Sequence, residues 1–385
     1  MRGIAVSGSF SDYRTDLPGF HLKKGDTMLE NTATNSYSRQ IKSPRTFPIQ
    51  NGKPVQGTWT TSFPKVDLLE IQHPYRLPLP PSLRNYRIKE WQSFIVQNDE
   101  IYLEAFFANI KYYSFAEVFF FDKQTKENLR YFKVLPFHPW KMPIKLANSS
   151  VESKNFGFYF NIHSWLDAEL IKLDINIAPS LKRPAFTANI EFDLSGKCWT
   201  PLAASLLFSE TRSMYTYKSF SPVRGKLQLG GKVFQALHRR KTTGLFRDCK
   251  GFYPYRMRAL WCSGCGFDAQ GRRFGFSLGE NQAQDAQHDN ENGFWLDGSL
   301  TLLPPVKMTQ TGDAMSDWVV QDLEGMVDLT FTPAVLVDAS FNLILTKSSY
   351  FTPVGKFNGM LKTGSGEEIK MNNVWGSLEQ LYLRV

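Results

Sequence analysis

Cysteine is scarce, with four in 385 residues, too few for the disulfide framework that staples small secreted domains. Long apolar runs are missing as well: no window approaches the roughly 18 uninterrupted apolar residues that a spanning helix needs. The opening residues Met1–Val6 run into Ser and Gly without an apolar signal core, so a cytoplasmic protein is the expectation. Only six histidines occur, and none stands at i, i+2 or i, i+4 from another, so no metal site is expected. A GxSxG nucleophile elbow, a Walker loop and a dinucleotide fingerprint are all absent. No cofactor is therefore expected.

Aromatics are abundant: 31 Phe, 15 Tyr and 9 Trp make 14% of the chain. Such side chains fit pleated, half-buried surfaces and lean the chain towards β structure. The net charge is +9, which allows contact with an anionic membrane surface or an acidic ligand. The basic residues are dispersed, with short clusters only at Lys23-Lys24, His238–Lys241 and Arg272-Arg273. No nucleic-acid-binding motif gathers them, so sequence-specific nucleic-acid binding is not expected.

Residues 1–64 are rich in Ser, Thr, Asn, Gly and Pro and read as an irregular N-terminal arm. The prolines of 73–81 exclude a helix interior and a central strand there. From Trp91 onwards, short strand-like runs alternate with turn residues: Asn98-Asp99, Asp122–Lys126, Asp268–Gly271 and Gly364–Gly366. Only windows such as Ser164–Leu170 allow a helical turn. The pattern predicts an all-β protein of antiparallel sandwich or barrel type. About 320 such residues exceed one eight-stranded barrel, so two tandem β domains are expected, 65–220 and 221–385.

Chemistry is concentrated in the second half. Cys262-Ser263-Gly264-Cys265 is a CxxC pair without further ligands, read as structural thiols. The stretch from Phe246 to Trp261 reads as one strand, on which Tyr255, Met257, Ala259 and Trp261 share a face, with Arg256, Arg258 and Leu260 opposite. Turned into a barrel, the first face would line an aromatic pocket with Asp248 at its entrance. The run Asp289–Gly293 adds Glu291 and Asn292 ahead of Trp295. Acidic groups beside an aromatic pocket can have raised pKa values and act as general acids. Asp248 and Glu291 are thus the catalytic candidates. Tyr255, Arg258, Trp261, Asn292, Trp295 and Glu379 are the substrate-binding ones. The plainer alternative is that Asp248 and Glu291 tie loops through backbone hydrogen bonds, and that Glu379 makes a surface salt bridge.

Several blocks, in order, resemble the domain-of-unknown-function family 2804. They are Arg87–Trp91, Met214–Lys218 with Pro222 and Gly225, Asp248…Gly251…Trp261, Gly275–Gly279, Glu291-Asn292 with Asp297-Gly298, Asp328–Pro333, Gly355–Gly359 and Gly376…Glu379. The chain departs from the family in keeping one tryptophan, Trp261, where relatives often carry two, and in ending on Val385. That family is distantly similar to lipocalin-like proteins that include carotenoid hydratases, tocopherol cyclase-like enzymes and fungal cyclases. The resemblance implies two calycin-type β-barrels with a hydrophobic ligand pocket and acid–base chemistry on a bulky apolar substrate, without metal or nucleotide. The expected function is binding of an isoprenoid- or lipid-like small molecule in a barrel pocket, with hydratase, cyclase or isomerase chemistry. The alternative is a non-catalytic lipid carrier or a structural subunit of a larger assembly.

Overall fold

Alternating apolar positions separated by turn residues build two curled antiparallel sheets. In the computed structural model the described residues are 37–384, apart from 137–141, 156, 197–198, 314, 339 and 343–346. Residues 1–36 of the expected arm, His21, His138, Cys198 and Val385 lie outside them. The first sheet has thirteen strands between Gly57–Trp59 and Thr243–Phe252; the second has ten between Arg256–Phe267 and Glu368–Arg384. Helix among the described residues is confined to Pro81–Arg87 and two single turns, Leu68–Glu70 and Leu166–Ala168. The second of those turns falls in a window, Ser164–Leu170, where the sequence allows one.

The first sheet curls on itself. Phe107 of the strand Ile101–Asn109 meets Phe160 of Phe158–Trp165, ring centroids 4.2 Å apart, although five strands of the sheet order separate the two. The bend is carried by the long strand Arg212–Leu229. Residues 214–222 pair with 243–251, and residues 223–229 pair with 186–192. Gly225 sits at the change of partner with φ +145°, and a Cβ there would lie 2.0 Å from the Asn189 carbonyl oxygen. Only glycine allows that approach. The enclosed core holds Phe94, Phe107, Phe160, Phe192 and Phe246. The second sheet encloses Phe274, Phe276, Phe331, Phe357 and Leu378; Phe276 and Phe331 meet Phe357 at 5.0 and 4.6 Å.

The expected division at 220/221 falls inside the strand Arg212–Leu229, and the chain passes from one sheet to the other at Tyr253-Pro254-Tyr255. The described end of the expected arm, 37–64, carries short strands. One of them, Gly57–Trp59, pairs with Leu202–Ser209 and buries Trp59 completely.

Candidate functional site

Each strand at the centre of the molecule shows one face to its own curled core and the other to the opposite sheet. On Thr243–Phe252, Phe246 joins the first core, whereas Leu245 and Cys249 join clusters shared with residues of the second sheet. On Arg256–Phe267, Cys262 joins the second core, whereas Met257, Ala259 and Trp261 join such a shared cluster. The result is a seam dense in rings. Trp91 lies 6.0 Å from Trp261 and 5.5 Å from Tyr253; Phe106 lies 5.5 Å from Tyr350; Phe121 lies 4.5 Å from Trp375.

Set into these rings are charged groups. Lys218 Nζ stands 2.9 Å from Glu291 Oε2 and donates to the Glu291 carbonyl at 2.9 Å. Trp261 Nε1 donates to Glu291 Oε1 at 2.7 Å, and Asn281 Nδ2 does so at 3.1 Å. Gly279 makes room for this meeting: a Cβ there would lie 2.7 Å from Glu291 Oε1 and 3.0 Å from Trp261 Cδ1. Next to it, Arg247 Nη2 donates to both carboxylate oxygens of Glu379, at 2.5 and 2.8 Å. Arg247 Nε donates to Ser93 Oγ at 3.1 Å, and the Tyr350 hydroxyl donates to Glu379 Oε2 at 2.8 Å. Trp261 joins the two ion pairs, its ring N–H on Glu291 and its ring 5.7 Å from the Arg247 guanidinium carbon.

Burial dominates the electrostatics. It pushes the Lys218 amine down, an effect the Glu291 charge only partly offsets. Burial would raise the Glu291 carboxyl, but the charge and hydrogen bond of Lys218 outweigh it and hold that carboxyl below its ordinary value. Burial likewise pulls Arg247 down, and Glu379 together with Cys249, Tyr350 and Glu291 more than restores it. Among the described residues Glu104 forms no ion pair, and the Arg247 charge offsets its burial only in part. Burial, and then the nearby Glu379 charge, push its pKa up to about 8, so it carries its proton at neutral pH. The Tyr102 hydroxyl lies 3.0 Å from Glu104 Oε2.

Glu104 also borders two cavities of the seam. One, of about 10 Å³, is lined by Ser93, Lys218, Arg247 and Glu379 among others. The second, of about 20 Å³, is lined by Phe106, Glu117, Tyr350 and Thr352 among others. Each has room for about one water. Arg247 Nη1 has no hydrogen-bond partner among the described residues.

Of the residues expected from the sequence, the seam unites Trp261, Glu291 and Glu379. Glu379 is buried in an ion pair rather than at the surface. Asp248 lies elsewhere. The stretch 246–261 is two strands interrupted at Pro254, which has no N–H to give a ladder, so Asp248 belongs to the first sheet. It faces inward beside Tyr215 and Tyr217, accepting from Gln92 Nε2 at 2.9 Å; burial raises its pKa against the pull of Lys250. Tyr255 falls in the connecting turn and is 54% exposed. Arg258 is exposed, its guanidinium 5.8 Å from the Tyr382 ring. Asn292 binds the loop, accepting from Gly279 N and donating to Pro304 O, both at 2.7 Å. Trp295 is buried in another shared cluster and donates to Thr200 O at 2.7 Å. The hollow expected inside the second barrel is instead filled by the Phe274–Phe276–Phe331–Phe357 cluster.

Cys262 and Cys265 join different clusters, so they do not converge on one ion. No group of His, Cys, Asp or Glu among the described residues could hold a metal. No helix there is long and apolar enough to cross a membrane. Lys218, Arg247 and Glu104 were not singled out from the sequence. Their one local signal is a charge of the right parity inside a strand of buried residues, as Lys218 is between Thr216 and Phe220.

Two curled antiparallel sheets packed across a buried seam define the lipocalin-like double-barrel class of protein. The chain belongs to the domain-of-unknown-function family DUF2804, whose family model matches residues 38–384. Among solved structures it is similar to CghA, determined with Sch210972, at 9% identity and a TM-score of 0.51 over 76% of this chain and 88% of that one. Kievitone hydratase from Nectria haematococca aligns over the same shares at 13% identity and a TM-score of 0.44. At these identities the likeness to CghA concerns the fold. No curated protein matches the chain in sequence.

Proposed function

We propose that the protein binds an isoprenoid- or lipid-like molecule in the seam between its sheets and performs cofactor-free acid–base chemistry on it, of hydratase, cyclase or isomerase type. The observation that carries this reading is Glu104, a buried carboxyl that keeps its proton at neutral pH and borders both cavities. A carboxylic acid poised in this way can protonate a carbon–carbon double bond. The rings of Trp261, Tyr350 and Phe106 would face the carbocation so formed. In hydration, water adds to the cation and its surplus proton returns to the Glu104 carboxylate. In cyclisation a second double bond attacks the cation instead of water, and the new cation loses a neighbouring proton to the Glu104 carboxylate. The unpartnered Arg247 Nη1 would hold a polar end of the ligand. The cavities are water-sized, so an apolar chain enters only if the sheets part along the seam.

That tightness also favours a second reading, a carrier or structural subunit whose ion pairs only fix how the sheets dock. One experiment separates the two. The protein is purified from cells that make isoprenoids and extracted with organic solvent, and the extract is examined by mass spectrometry for wild type and Glu104→Gln. The catalytic reading predicts a bound apolar molecule in both, with the variant retaining a more unsaturated or dehydrated form. The carrier reading predicts identical molecules. An empty extract from wild type contradicts ligand binding altogether.

A further inference from the structure

Between Glu70 and Glu90 the chain holds no acidic residue, but it holds Arg76, Arg84, Arg87 and Lys89. The same stretch shows apolar side chains to solvent: Leu77, Leu83 and Tyr86 are exposed, and Tyr112 from a neighbouring turn joins them. The helix Pro81–Arg87 buries none of its residues. Ring contacts join several of these pieces. Tyr86 stacks on Tyr112 at 5.8 Å, and the Arg87 guanidinium carbon stands 5.1 Å from the Tyr75 ring; Lys89 is buried beneath, its amine 5.0 Å from the Tyr112 ring and donating to the Tyr86 carbonyl, so it adds no exposed charge. Among the described residues Arg76, Arg84 and Arg87 form no ion pair. Arg212 also approaches Tyr75, at 5.7 Å, but Glu210 shares its turn, so that pair adds no net charge.

We infer that this face docks on an anionic lipid bilayer. Exposed leucines next to unpaired arginines give a bilayer two attractions at once, apolar insertion at the headgroup boundary and charge on anionic lipid. A single-stranded nucleic acid would instead need open ring faces for its bases, and here Tyr86 and Tyr112 cover each other. The face is joined to the seam by the chain itself, because the helix runs directly into Ile88–Gln97, which carries Trp91 and Ser93. The docking surface stands on its own chemistry and does not require the seam to hold a ligand.

The test is flotation of the full-length protein with phosphatidylcholine vesicles, with and without phosphatidylserine. Wild type should float only with the phosphatidylserine vesicles and should be released by salt. Arg76→Glu and Leu83→Glu, at exposed positions, should each lower partitioning, and together by at least about tenfold. Leu181→Glu changes the most exposed leucine of a different basic loop, Leu181-Lys182-Arg183, and should leave binding unchanged. Failure of wild type to float, equal binding to uncharged vesicles, or loss of binding with Leu181→Glu alone would overturn the proposal. So would retention on single-stranded RNA in place of vesicles.

Discussion

The two curled cores and the seam between them are built from the same aromatic-rich strands, yet they obey different physics. Within each core the contacts are apolar and generic: Phe107 on Phe160, Phe331 on Phe357. In the seam, rings of similar size surround Lys218, Glu291, Arg247, Glu379 and Glu104, all buried. Burying ions costs several kcal/mol each and seldom adds stability over an apolar equivalent. The difference is the reason the proposed chemistry is placed in the seam rather than in either barrel interior.

The sharpest way to break this contrast is to remove one partner in each region and then both. Arg247→Ala leaves Glu379 buried and unpaired and should cost about 3–5 kcal/mol in urea unfolding. Phe357→Ala should cost about 3–5 kcal/mol by opening a cavity. The regions part at the second step. Arg247→Met combined with Glu379→Leu should recover to within about 1 kcal/mol of wild type, whereas no small-residue pair at Phe331 and Phe357 should recover.

A smaller effect is expected for Glu291→Gln. The amide oxygen still accepts from Trp261, but Lys218 loses its counter-charge, a cost of about 1–3 kcal/mol.

Glu104 sharpens the comparison through pH. It keeps its proton up to about pH 8 in the fold and ionises near pH ~4.3 in an unfolded chain. Across that window the folded state holds the extra proton, so this group makes stability fall as pH rises. Glu104→Gln should flatten the fall, read from unfolding midpoints between those two pH values. The smallest effect belongs outside both regions: Tyr255→Ala, in the exposed turn, should stay within about 0.5 kcal/mol of wild type.

Much of the architecture was legible because its signals are local. Asn98-Asp99, Asp122–Lys126, Asp268–Gly271 and Gly364–Gly366 each separate two strands of the structure, as their turn chemistry requires. The alternation of Met257, Ala259 and Trp261 was legible too. What those residues face was not, because alternation separates two faces without saying which one meets the other sheet. Pro254 was the overlooked punctuation; read as a break, it would have moved Asp248 out of the pocket. The seam's pairs were beyond reach: Glu291 meets Lys218 across 73 positions and Glu379 meets Arg247 across 132. No local pattern encodes contacts of that separation. The neutral state of Glu104 follows from burial that only the assembled sheets create.

Infrared difference spectroscopy of wild type against Glu104→Gln at neutral pH addresses the central claim most directly, because a protonated carboxyl has its own C=O stretch, well above the carboxylate bands. A buried carboxylic-acid band present in wild type and lost in the variant is the predicted result. A wild-type spectrum without that band at neutral pH would contradict the account, leaving the seam a set of ionised groups with no proton to give.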